Sequence, residues 1–185
     1  MEYKEFYVLF DKNGTWVMKV GQYPGLDISI SKNFRKFLGE DEELYQKGRE
    51  CEVIGHGIGA FAYYRRLVEN KIDELLEHIT NAFEEEDKRE GYVKELEKLK
   101  DEYQTQKKID VLKGIIPKSL FFSGHNPLGM LYKALSEDLH KKNEEECLED
   151  AEAIRVVFNA VIERVERIKE ENVEFTESIK KLLKK

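Results

Sequence analysis

The chain has 185 residues and a formal net charge of −7, with charged side chains of both signs making up 37% of it. That length suits one domain, or one domain with an appendage. The acidic balance argues against a general nucleic-acid binder, because phosphate affinity rests on an excess of lysine and arginine. No apolar run is long enough to span a bilayer and no secretory signal opens MEYKEFYV, so a cytoplasmic protein with no membrane partner is expected. Cys51 and Cys147 lie far apart without a partner pair, as in a reducing compartment. With four scattered histidines they fall short of a zinc motif, so neither a metal nor a cofactor is expected.

EFYVLF, DKNG and TWVMKV read as a β-hairpin: aromatic and valine-rich strands around Asn13-Gly14, which supplies the positive φ of a tight turn. A lone two-stranded hairpin is marginal in water, so this one is expected to pack on helices or pair with a second copy. GQYPGLDISIS follows as a loop. Ser31 starts a short helix, NFRKFL, that Gly39 stops, and Asp41 opens another through EELYQKGREC. GHGIG then marks a tight passage of backbone.

From Ile58 a long helix runs to about residue 86, with Phe61, Tyr64, Leu67, Val68, Ile72, Leu75, Leu76, Ile79 and Phe83 at the helical period. Gly91 breaks the run. A second helix, over about 92–113, carries a thin stripe of Tyr92, Leu96, Leu99, Tyr103, Ile109 and Leu112, and the two are expected as an antiparallel pair. GIIPKSLFFSG leads on as a loop. Asn126 and Pro127 then read as an N-cap with proline at the first helical position, ahead of Leu128, Leu131, Leu135 and Leu139. Asn143, with Glu146 three residues on, reads as a capping box. It opens a helix through ECLEDAEAIRVVFNAVIERVERIKE, and FTESIKKLLKK reads as a separate amphipathic tail.

These elements predict a mainly α fold (α+β): a helical bundle with a small N-terminal β-hairpin and a long antiparallel helix pair. Residues 1–30 are expected as hairpin and loop packed on a helical domain over 31–185, together one compact unit.

The candidate site is the corner where two helices meet. Ser136 and His140 lie four apart on one helix face, and an imidazole at a helix C-terminus faces the negative end of the dipole. The pair could supply an acid/base and a hydroxyl, or simply cap the helix. Arg65 and Arg66 point about 100° apart on their helix. Arg66 stands at pairing distance from Glu69 and Asn70, and one guanidinium could instead reach the His140 corner. His125 and Asn126 are either a loop lock and helix cap or binding residues, and Lys133 is a cation one helical face away. GHGIG could cradle a phosphate at a helix N-terminus. It lacks a preceding strand and a following Lys-Ser/Thr, so a tight turn is the better reading.

The phrases GQYP…FLGEDEELYQKG, GIGAFAYYRRLVEN and GHNPLGMLYKALSEDLH…EEECLEDAEAIRVVFNAVIERV, over roughly residues 17 to 168, resemble a widespread bacterial protein family that has no assigned function. Its members often carry an N-terminal zinc-ribbon-like stretch, which this chain lacks, so no structural zinc is implied. LSEDLHKKNEEEC is also similar in layout to HEPN-like domains, helical bundles found in bacterial toxins, ribonucleases and phage-defence proteins, which usually dimerise. The ribonuclease version sets an arginine four to six residues before the histidine, so that a cation and an imidazole converge on the scissile phosphate. Before His140 that window holds Lys133, Leu135 and Ser136 but no arginine, and lysine is a point charge rather than a fork. Arg49 and His56 satisfy the spacing only formally, because Gly55 and Gly57 place that histidine in a turn.

Two functions are therefore expected. The first is a non-catalytic helical interaction and dimerisation module, a homodimer or the holder of a partner protein, in a phage-defence or stress setting. The second is an HEPN-like RNA-binding protein or ribonuclease using His140 with Arg65 or Arg66. The missing arginine and the acidic balance lean away from an enzyme and from RNA.

Overall fold

The computed structural model describes residues 3–26, 28–82, 116–136 and 141–183. The chain divides into two compact units, Met1–Ile30 and Ser31–Lys185. Phe83, the expected helix over 92–113 with which the antiparallel pair was to form, Leu139 and His140 lie outside the described residues.

The first unit is a hairpin of β1 (Glu5–Phe10) and β2 (Val17–Tyr23), antiparallel from Phe10↔Val17 to Glu5↔Tyr23. Its connection is wider than a two-residue turn. The Asp11 carboxylate accepts hydrogen bonds from the Thr15 amide and hydroxyl and the Trp16 amide, and Gly14 alone takes a positive φ, 68°. The strand also runs past the expected TWVMKV into GQY. Tyr7 pairs with Gly21 and Val8 with Lys19, so Val20 is an extra residue and the bulge carries the ladder on to Tyr23.

The second unit is a helical bundle: α1 (Lys32–Leu38), a 3-10 turn (Gly39–Asp41), α2 (Glu42–Val53), α3 (Gly57–Ala82), a further 3-10 turn (Lys118–Leu120), α4 (Pro127–Ser136) and α5 (Glu144–Leu183). Local chemistry sets most of the boundaries. The Ser31 hydroxyl accepts from the Phe34 amide to cap α1, and Gly39 ends it at φ 54°. Asn126 Oδ1 accepts from the amides of Leu128 and Gly129. At the start of α5, Asn143 Oδ1 accepts from the Glu146 amide while Glu146 Oε2 accepts from the Asn143 amide, both at 2.9 Å, a reciprocal capping box.

The expected break between the last helix and a separate tail does not occur: α5 is one helix of 40 residues, about 60 Å long at 1.5 Å per residue. No glycine or proline interrupts EENVEFTESIKK, so nothing in the backbone requires a stop.

α3 and α5 are the central pair. Glu144 contacts the start of α3 at Ile58, His78 meets Glu166, and Asn172 reaches Ala82, so the two helices run parallel. α2 lies antiparallel on both: its Asp41 end meets Asn70, and its Glu52 end meets Tyr64 and Arg155. The core comprises Phe34, Phe37 and Leu38 of α1, Tyr45, the expected α3 stripe from Phe61 to Ile79, Leu120, Leu128, Leu131 and Leu135, and Cys147 to Val165 of α5. Two glycines permit its close approaches. A Cβ on Gly48 would enter the Tyr64 ring, and one on Gly57 would collide with the Glu144 carbonyl and the Leu148 amide.

Candidate functional site

The structure distributes the expected site residues over several local pairings. Ser136, on α4, is exposed, and its hydroxyl donates to the Lys133 carbonyl at 3.0 Å. The Lys133 side chain is exposed. Arg65, not Arg66, makes the internal ion pair: its Nε donates to Glu69 Oε1 at 2.9 Å, four residues on. Arg66 is exposed, one position further round the helix. Asn70 is turned elsewhere and donates to Asp41 Oδ1 at 2.8 Å, pinning α3 to the start of α2.

His125 closes a tight turn by its backbone. Its amide and carbonyl pair with those of Phe122 at 2.9 and 3.1 Å across Ser123 and Gly124, whose φ values of 49° and 81° build the turn. Asn126 is committed to capping α4. Past the corner, Lys142 Nζ lies 6.0 Å from the Phe61 ring centroid, one helical turn before Arg65. It also pairs with Asp150.

The GHGIG passage holds no vacant anion site. The Ile58 amide donates to the Glu144 carboxylate at 3.0 Å, so the chain's own acid occupies the positive end of α3. His56 is exposed at the α2–α3 corner, and its carbonyl accepts from the Ala60 amide. Arg49 points instead to Glu52, at 2.7 Å, so the formal arginine–histidine spacing brings no such pair together.

Reading the sequence alone missed the densest polar cluster, which lies where α2, α3 and α5 meet. The Glu52 carboxylate accepts from Arg155 Nε at 2.9 Å, Arg155 Nη2 at 2.9 Å, Arg49 Nη1 at 2.7 Å and the Tyr64 hydroxyl at 2.6 Å. The side chains of Glu52, Arg155 and Arg49 are 11%, 18% and 25% exposed. Burial by itself would raise the Glu52 carboxyl, but Arg155, Tyr64 and Arg49 outweigh it and hold the group below the usual carboxylate range. Burial, and then the bond to Glu52, push the Tyr64 phenol well above its usual value, so it stays protonated and acts as a donor. Next to the cluster, Asn159 Nδ2 donates to the Tyr45 hydroxyl at 3.2 Å, while its buried Oδ1 has no partner.

One signal could have led to this cluster. Tyr64 falls on a wholly apolar stripe, and a buried tyrosine hydroxyl needs a partner. Its partner Glu52 comes from α2, twelve residues back, but Arg155 joins that carboxylate from 103 residues away, and no local pattern encodes that.

A second polar network crosses the α3–α5 seam. Lys71 lies 3.6 Å from Asp41 and 2.8 Å from Glu74, His78 lies 4.0 Å from Glu74 and 3.0 Å from Glu166, and Lys169 lies 2.8 Å from Glu166. Burial would raise Glu166, but Lys169 and then His78 bring it below the usual range.

Both thiols are pushed up, Cys51 and Cys147 alike, chiefly by burial. A raised thiol is a poor nucleophile. Among the described residues no three His, Cys, Asp or Glu side chains converge on a position for a metal ion, and no helix is long and apolar enough to cross a membrane. Comparison with protein-family models, with curated proteins and with solved structures returned no match.

Proposed function

We propose that this chain is a non-catalytic helical interaction module that self-associates as a homodimer in the bacterial cytoplasm, in a phage-defence or stress setting of the kind HEPN-like domains occupy. The observation that carries the reading is the hairpin. Phe6, Tyr7, Leu9, Phe10, Trp16, Val17 and Met18 are all exposed, Phe10 and Val17 at 69% each. A two-stranded ribbon is marginal alone, and contiguous apolar surface of more than a few hundred Å² marks a place where another molecule binds. The polar side agrees with this: Glu52, Arg155, Arg49 and Tyr64 satisfy one another, which is how a structural network behaves.

Light scattering on the full chain across a concentration series tests the reading, with twice the mass of one chain expected. A single-chain mass at every concentration overturns it.

A second reading, an HEPN-like RNA-binding protein or ribonuclease using His140 with Arg65 or Arg66, draws on one observation. Lys142 lies beside Phe61, on the same helix as the exposed Arg66. RNA cleavage that His140→Ala and Arg66→Ala each abolish, in folded protein, would put this reading first.

A further inference from the structure

Asn13-Gly14 is the one Asn-Gly step in the sequence, and it stands in the connection between β1 and β2. Both residues are exposed. The side-chain hydrogen bonds of this turn run to the Asp11 carboxylate, from Thr15 and Trp16, and leave the Asn13 carboxamide out. Gly14 has no side chain to shield its nitrogen, and apart from its chain neighbours no described atom lies within 4 Å of where a Cβ would stand. An amide carbon and a backbone nitrogen thus face water together, separated by the length of chain that closes a five-membered ring.

The other asparagines are placed differently. Asn33, Asn70, Asn126, Asn143, Asn159 and Asn172 each engage the side chain in a hydrogen bond, and each is followed by a residue bulkier than glycine. One contact opposes reaction at Asn13: the Gly14 amide donates to the Asp11 carbonyl at 3.0 Å, which engages the nitrogen that has to attack. That bond belongs to an exposed turn on a two-stranded ribbon, which is marginal by itself. Segments of this kind open at a free-energy cost near zero, so the guard is intermittent.

We propose that Asn13 is a site of spontaneous covalent modification, converted to aspartate and isoaspartate through a cyclic imide with Gly14. The Gly14 nitrogen bonds to Asn13 Cγ. The Cγ–Nδ2 bond breaks, and Nδ2 leaves as ammonia with the proton given up by the Gly14 amide. Water then opens the imide at one of its two carbonyls. Opening at Cγ gives aspartate. Opening at the Asn13 backbone carbonyl gives isoaspartate, in which the chain runs on through Cγ and is longer by one methylene. The Asp11 carboxylate reaches across to residues 15 and 16, so that methylene falls inside the loop it closes. An opened turn is the consequence, and Trp16, the only tryptophan of the sequence, stands at its edge.

The test holds the full chain in mildly alkaline buffer, native and, in parallel, unfolded in guanidinium chloride. Mass spectrometry follows the peptide that contains residue 13, and isoaspartyl methyltransferase labelling separates isoaspartate from aspartate. Native Asn13 is expected to convert ahead of every other asparagine and within roughly tenfold of the unfolded rate, since the opening cost is small. Asp11→Ala, which removes the brace of the turn, is expected to bring the native rate up to the unfolded one, and Asn13→Gln to abolish conversion. Trp16 fluorescence is expected to change in step with isoaspartate and to stay unchanged in Asn13→Asp, which adds the charge without the methylene. A native Asn13 that stays intact while the unfolded chain converts overturns the proposal, as does faster loss at another asparagine. Isoaspartate formed with no change at Trp16 overturns the opening of the turn.

Discussion

Glu52→Gln is the sharpest test of what the polar cluster does. The change keeps the shape of the side chain but removes the charge and replaces one acceptor oxygen with a donor nitrogen. That nitrogen would face a guanidinium N–H, since both carboxylate oxygens are in use: Oε1 by Arg49 and Arg155, Oε2 by Arg155 and Tyr64. Removing one partner from a buried ion pair costs about 3–5 kcal/mol. Here Arg155 and Arg49 keep 18% and 25% of their side-chain surface exposed and can recover some hydration, which favours the lower end. A loss of about 3 kcal/mol is expected, and for a chain of this size that lowers Tm by about 6–12 °C. Urea unfolding followed by far-UV circular dichroism measures it as a lower midpoint at unchanged slope. A double-mutant cycle with Arg155→Met should return a coupling above about 1 kcal/mol. If Glu52→Gln costs less than about 1 kcal/mol and shows no coupling, water satisfies these groups and the cluster does not hold the three helices together.

The α3–α5 crossing predicts opposite outcomes for two neighbouring glycines. Gly57→Ala drives a Cβ into the backbone of Glu144 and Leu148, which cannot rotate away, so a loss of about 1–3 kcal/mol is expected. Gly59→Ala makes its one tight approach to the Cys51 Sγ, a side-chain end, at 3.0 Å, and gains up to about 1 kcal/mol in helix propensity, so its melting temperature should match or exceed wild type; the reverse order would refute the packing argument. Stability should also fall at both ends of the pH scale. Glu52 and Glu166 are held below their ordinary value of 4.5, so their contribution is complete above that pH and is lost as pH falls through the folded values. Tyr64 is raised above its ordinary 10.0, so its contribution is complete below pH 10.0 and is lost above it. In thermal melts across pH, Glu52→Gln should flatten the acid limb and Tyr64→Phe the alkaline one; unchanged limbs would refute the assignment.

What could be read from the sequence divides by distance along the chain. Caps at Ser31, Asn126 and Asn143 were legible because donor and acceptor lie within three residues, and the α3 stripe because one helix displays its own period. Effects that join distant segments were not. Gly57 reads as a turn glycine, yet its buried neighbour is the start of α5, 87 residues on, and Glu144 reads as an ordinary first-turn acid although it caps another helix. Arg65 and Arg66 were visible as a pair, but Glu69 is within pairing spacing of both, and only the side-chain geometry gives it to Arg65. The continuity of α5 was missed for a different reason. The apolar stripe of α5 passes through Asn172, and a polar residue in an apolar seam looks like an end when only composition is read.

That asparagine is where the two halves of α5 change roles. On its N-terminal side the stripe is used within the chain, against α1, α3 and α4; on its C-terminal side Phe175, Ile179 and Leu182 are exposed. Asn172 gives its amide hydrogen to Ala82, so the polar residue in the seam is satisfied inside one chain, which removes the penalty of leaving it there. In a paired helix, a polar residue at such a position fixes register at some cost in stability. Replacing Asn172 with leucine would extend the apolar seam without interruption but take from the Ala82 carbonyl the amide that it accepts from, so a loss of stability is expected rather than a gain.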